Sequence, residues 1–145
     1  MVDTREDILA RLLVVVGTIP GLRSSHRNNV DITEEMLPAA IVFDGDETTV
    51  AGNDGSRPSN RPLLVEMTPE IVIAEQSDEV GSDLTTLRRE LIKRVLLDTE
   101  LNAKTGSNGK ISYVSCQTDV GWMRSLHGAL RAQFMFKYTL KPDEL

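Results

Sequence analysis

Fifteen consecutive residues near the end of the chain, Leu126 to Leu140, constrain its fold more than any other segment. Leu130, Ala132, Phe134, Phe136, Tyr138 and Leu140 fall at alternate positions, with Arg131, Gln133, Lys137 and Thr139 between them. This period of two predicts a half-buried β-strand, and only Met135 interrupts its polar side. At about 3.4 Å per residue the strand would reach roughly 50 Å, well beyond the usual five or six residues. Such a strand is expected to extend past its own core.

The other segments follow the same logic. Asp3 and Glu6 have the spacing of a capping box, and Ile8, Leu9, Leu12, Leu13 and Val16 then line one side of a helix that Gly17 and Pro20 end. Residues 21–36 read as polar and irregular. Leu37 to Phe43 (LPAAIVF) is a continuous apolar strand, expected to be covered on both faces. Asp44, Gly45, Asp46 and Glu47 read as a turn after it.

From Thr48 to Pro62 the chain has almost nothing to bury and carries Arg57 and Arg61 among Gly, Asn, Ser and Pro. That composition suits a mobile loop or a hairpin arm that orders in an assembly. The strand after it alternates Val65, Met67, Ile71 and Ile73, and Pro69 in its middle points to an edge strand or a bulge. Ser82 is read as the cap of a second helix with the stripe Leu84, Leu87, Leu91, Ile92, Val95 and Leu96, closed by Asp98 to Leu101. A strand from Lys110 to Thr118 follows, and Asp119 to Ser125 connect it to the final strand. The expected architecture is α+β in the order α-β-β-α-β-β, a mostly antiparallel sheet with two helices on one face, in a single domain over residues 1–145.

Composition narrows the function classes. A net charge of -6 argues against gripping nucleic acid through its phosphates, which needs clustered Lys and Arg. The basic cluster Arg88, Arg89, Lys93 and Arg94 is mostly a solvated helix face. Arg88, however, points into the apolar arc, where its stem runs along the core edge or its head meets a carboxylate across an interface. The single cysteine, Cys116, forms no intrachain disulfide and reads as a small hydrophobe in a strand. The start of the chain is acidic and polar, and the apolar run Leu12 to Val16 is too short for a signal segment or a membrane span, so a cytosolic chain is expected.

The search for chemistry selects nothing. His26 and His127 are the only histidines, and neither stands in a zinc-ligand spacing. Asp44, Asp46 and Glu47 lack the further ligands of a calcium loop, and position 55 is Gly where such a loop needs Glu. No phosphate-binding or nucleophile motif occurs, and no spacing selects a catalytic pair from the 22 acidic residues. No cofactor, metal or catalytic residue is assigned.

The order of segments is itself informative. The capped first helix, LPAAIVF ending in DGDE, a long polar loop, VEMTPEIVI, the helix GSDLTTLRRELIKRVLLDTEL, GKISYVSCQT and the final GALRAQFMFKY resemble, together, the tail terminator (tail completion) proteins of long-tailed bacteriophages and related tail-like particles. The resemblance spans about Arg5 to Tyr138. It implies a non-enzymatic virion protein, made in the host cytoplasm and ending at the head-tail junction. Such a protein is a hexameric ring that caps the head-proximal end of the tail tube, stops tube growth and receives the neck proteins. Its partners would be further copies of itself, the tube protein and a head-completion protein, with DNA passing through the lumen and no membrane contact. Interface candidates are the acidic Asp44, Asp46 and Glu47, Arg57 and Arg61 of the loop, Arg88, and Trp122 with Met123 beside Gly121, read either as an aromatic anchor for a partner or as a Trp tucked over the sheet edge. Acidity is open to two readings: a lumen that repels DNA phosphates, or plain solubility of the free subunit. Alternatives are another head-tail connector component, or a small ligand-binding domain or enzyme built around a pocket.

Overall fold

A computed structural model of the chain describes residues 3–50, 62–122 and 126–145. Helix α1 (Thr4–Gly17) is followed by a short strand β1 (Ser24–Arg27), then β2 (Ala39–Thr49) and β3 (Leu63–Gln76). Two consecutive helices, α2 (Val80–Leu97) and α3 (Thr99–Thr105), precede the hairpin of β4 (Lys110–Trp122) and β5 (Leu126–Leu140). The strands form one sheet in the order β1-β2-β3-β5-β4, antiparallel throughout except for the parallel β1–β2 edge. The fold is α+β, as expected, with β1 and α3 added to the anticipated order.

Local chemistry accounts for the helix ends. The Asp3 carboxylate accepts from the Glu6 N–H at 3.3 Å and caps α1, as the Asp3/Glu6 spacing predicts. Helix α2 starts earlier than expected, at Val80, and its N-cap residue Glu79 makes no side-chain cap. Ser82 therefore lies inside the first turn and does not cap it. Asp83 instead accepts from Ser77 Oγ at 2.5 Å, which ties the entering chain to that turn. Asp98 ends α2 and begins α3, where its carboxylate accepts from the Leu101 N–H at 3.0 Å.

One apolar layer lies between the helices and one face of the sheet. β5 contributes Leu130, Ala132, Phe134, Phe136 and Tyr138, all fully buried, and β3 contributes Val65, Met67, Ile71 and Ile73 in register beside them. Ile8, Leu9, Leu12 and Val16 of α1, Leu84, Leu91 and Val95 of α2, and Leu101 of α3 close the layer. Burying each large side chain is worth about 1.5–3 kcal/mol, so the alternation of β3 and β5 drives the assembly of the whole domain. The opposite face of these strands is polar and carries cross-strand ion pairs, Arg131 with Glu70 and Lys137 with Glu66.

Several expectations need correction. β5 does not extend past its core. It is an interior strand, paired with β3 from His127 to Leu140 and with β4 from Leu126 to Lys137. Residues 21–36 are not wholly irregular, because Ser24 to Arg27 form β1 beside β2. The Asp44–Glu47 segment is not a turn. β2 runs on to Thr49, and the ladder slips between Phe43 and Asp46 as a β-bulge. Gly45 sits in it with φ +72°, and a Cβ there would lie 2.1 Å from the Thr68 carbonyl oxygen. Pro69 lies opposite this bulge in a central strand, so of its two readings the bulge holds and the edge does not. A second bulge, between Tyr113 and Ser115 of β4, falls close to the same line across the sheet. The strand from Lys110 continues to Trp122, so Asp119 to Trp122 are strand and not connection.

The β2–β3 and β4–β5 connections leave the sheet from opposite ends, since Thr49, Val65 and Tyr138 share one end while Trp122, Leu126 and Gln76 lie toward the other. Most of the expected 48–62 loop lies outside the described residues; Thr48 and Thr49 belong to β2.

Candidate functional site

The five interface candidates that the structure describes fall into distinct settings, and three of them, Asp44, Glu47 and Arg88, prove to be engaged within the subunit. Asp44 sits at the start of the β2 bulge, where Arg27 of β1 reaches across to it. Arg27 Nε and Nη2 donate to the two Asp44 oxygens at 2.9 and 3.1 Å, while Nη1 and Nη2 donate to the Glu6 carboxylate at 2.7 and 2.9 Å. One guanidinium thus locks α1, β1 and β2 together with two bidentate pairs. The bonds from Arg27 hold the Glu6 and Asp44 carboxyls below their usual values, and raise that of the guanidinium. The Asp44 N–H donates to Asn28 Oδ1 at 3.1 Å, and Arg5 Nη2 donates to the Gly45 carbonyl at 3.0 Å.

Glu47 is committed too. Its carboxylate accepts the hydroxyl proton of Tyr138, whose ring is buried in the core. Burial and this carboxylate push the Tyr138 hydroxyl well above the usual tyrosine range. Arg88 lies over the Tyr113 ring, its guanidinium carbon 5.7 Å from the centroid, which is the intrachain course for a stem that enters the apolar arc. Tyr113 in turn meets Phe134 with ring centroids 5.7 Å apart.

Asp46 differs. It is exposed, and among the described residues no hydrogen bond or ion pair holds its carboxylate. Trp122 is the last residue of β4, and its backbone pairs with Leu126. Met123, Arg57 and Arg61 lie outside the described residues.

Sequence reasoning missed a basic corner at the β4 end of the sheet. Lys104 of α3, Lys110 of β4, Lys137 of β5 and Lys141 lie at that end. Lys104 and Lys141 line a cleft of about 840 Å³ with Thr4, Leu64, Thr139 and the turn Gly106–Asn108. The four lysines are scattered over 38 residues, so no local run announces them. A smaller groove between α1 and α2 carries the exposed Val14 and Leu97 beside Lys93, and its two arginines are paired: Arg11 donates to Asp98 at 2.9 and 3.0 Å and Arg94 pairs with Glu90.

Among the described residues no group of three or more His, Cys, Asp or Glu could hold a metal ion, and His26 Nε2 lies 2.9 Å from Ser24 Oγ. Cys116 is partly buried against the core, more open than a small hydrophobe in a strand would suggest. Among the described residues no helix is long and apolar enough to cross a membrane. No protein-family model matches this chain, and no curated protein sequence matches it significantly.

Proposed function

We propose that the chain is a structural assembly subunit of the tail-terminator kind, working as a ring on the head-proximal end of a tail tube, where it stops tube growth and receives the neck proteins. One observation carries the reading furthest. β4 is paired with β5 along its thirteen-residue length except at its bulge and is, with the short β1, one of the two edge strands among the described residues, so a long row of backbone donors and acceptors faces outward. Soluble domains blunt such edges with proline, lysine or short length. Here proline is absent from β4, its lysine stands only at the first position, and its bulge interrupts one point, so the edge suits a partner strand.

The segment order that resembles the tail terminators adds the identity of the assembly, since a fold by itself names no function. Connections leaving from opposite ends of the sheet suit a ring that meets a tube on one side and a neck on the other. Six subunits at -6 each would make an acidic ring through which DNA passes without adhering.

The test is electron microscopy of the purified chain mixed with tail tube protein, with molar mass by light scattering. Rings at one end of tubes of fixed length, near six times 16.0 kDa, are the expected result. A monomer or dimer that never caps a tube would overturn the reading.

A further inference from the structure

The registers line up four residues in one row across the sheet: Thr48 of β2 opposes Glu66 of β3, Glu66 opposes Lys137 of β5, and Lys137 opposes Lys110 of β4. Directly opposed residues point to the same face, here the polar face away from the helices. Lys137 has Glu66 on one side, 3.8 Å from its Nζ, and a like charge on the other. Lys110 is exposed and has no ion partner among the described residues. Like charges directly opposite are unfavourable, and a carboxylate arriving beside β4 would relieve them.

The complementary surface lies on the other edge of the same sheet end, three strand spacings or about 14 Å away. Asp46 and Glu47 precede Thr48 there, and Asp46 is the unengaged acid. β1 covers β2 only along Ala39 to Val42. Asn28 and Arg5 then occupy the Asp44 N–H and the Gly45 carbonyl, and no described strand pairs with the outer side of Asp46 to Thr49. Successive antiparallel pairings make β4 antiparallel to β2. A second copy in the same orientation would therefore bring its open β2 edge against β4 as an ordinary antiparallel ladder.

We propose that Lys110–Ser112 of one copy docks on Asp46–Thr48 of a second, continuing the sheet from subunit to subunit. In this register Lys110 lies beside Thr48 of the second copy and diagonal to its Asp46, within reach of a lysine side chain. The β4 bulge after Tyr113 ends the match, because farther along β1 already occupies the position beside β2. The two copies use different surfaces, so every added copy leaves one donor edge and one acceptor edge free and the contact repeats until a ring closes. The inference deepens the ring reading and draws its biological use from it.

The test is sedimentation velocity of the full chain over a concentration series at low and high salt. It compares wild type, Lys110→Glu, Asp46→Lys, the double variant, and an equimolar mixture of the two single variants, with circular dichroism as the folding control. Wild type should self-associate more weakly as salt rises. Each single reversal should weaken association roughly tenfold, while the double variant and the mixture should regain it. A wild type that stays monomeric, single variants that associate like wild type, or a double variant that regains nothing would each overturn the contact. Binding of an acidic peptide such as oligoglutamate to the lysine corner, lost in Lys110→Glu while self-association persists, would also overturn it and give the corner to a different occupant. Microscopy with tube protein separates the two ideas. Single variants that still form rings on tubes sink the contact and spare the ring reading, whereas charge-dependent association without tube capping spares the contact and sinks the ring.

Discussion

Single residues show where sequence reasoning met its limit. Asp44, Asp46 and Glu47 look alike in the string DGDE, yet the bulge at Gly45 sends them to three destinations: an arginine lock, open solvent and a buried tyrosine. Alternation identifies faces only while the ladder is regular, and one extra residue reassigns every side chain after it. Replacing Gly45 by Ala should cost about 2 kcal/mol or more in urea denaturation, because the added Cβ meets the Thr68 carbonyl in a left-handed conformation. Gly81→Ala is the matched comparison. Its Cβ meets nothing within 4 Å inside α2, and stability should be unchanged or rise by up to about 1 kcal/mol. The Tyr138–Glu47 pair yields an asymmetric prediction. Glu47→Ala leaves a buried hydroxyl without its acceptor and should cost about 1–3 kcal/mol, whereas Tyr138→Phe releases an exposed carboxylate to water and should cost less. Equal losses in the two variants would mean the bond contributes little.

Elements were legible in proportion to how much of their pattern is local. α1, β3, α2 and β5 announce themselves through period and capping, and β5 with β3 alone specifies the core face. β1 escaped because four residues, Ser24 to Arg27, contain no apolar alternation; they are held by pairing with β2 and by the Arg27 lock, both non-local. The α2–α3 break was hidden in a continuous helical composition. Asp98 creates it by capping α3 while its carboxylate also accepts two bonds from Arg11 of α1. Asp98→Ala removes both functions and should cost about 1–3 kcal/mol, with loss of helical signal from α3. Arg11→Met keeps the cap and should cost less than Asp98→Ala in the same chemical denaturation series. The strand edges, on which the proposed function depends, were legible only in part. Sequence marks strand length, but which strands lie outermost is a matter of topology: β1 and β4 form the edges, and the longer β5 is interior.

At the scale of the whole molecule the lesson concerns charge. A net charge of -6 says nothing of where the charges lie; the fold gathers lysines at one lateral edge and leaves Asp46 unpaired among the described residues at the other, while the acids at the α1–β1–β2 junction are consumed in structure. Reversing Asp44, Asp46 and Glu47 together would therefore test stability and not surface charge; Asp46 alone is the clean probe. The same distribution fixes how stability depends on pH. Glu6, Asp44 and Asp98 have carboxyls held below their unfolded values of about 4 by Arg27 and Arg11, so the unfolded chain binds protons first as the solution is acidified. Their contribution is complete above that unfolded value and is lost as pH falls through the lower folded values. Glu75, pushed up by burial, runs in the opposite direction and offsets part of the loss. Wild type should therefore lose stability steeply below about pH 4. Arg27→Met, which removes the common partner of Glu6 and Asp44, should be less stable at neutral pH and lose less on acidification, so the two curves converge at low pH. Parallel curves would show that the junction's ion pairs do not carry the acid sensitivity of the fold.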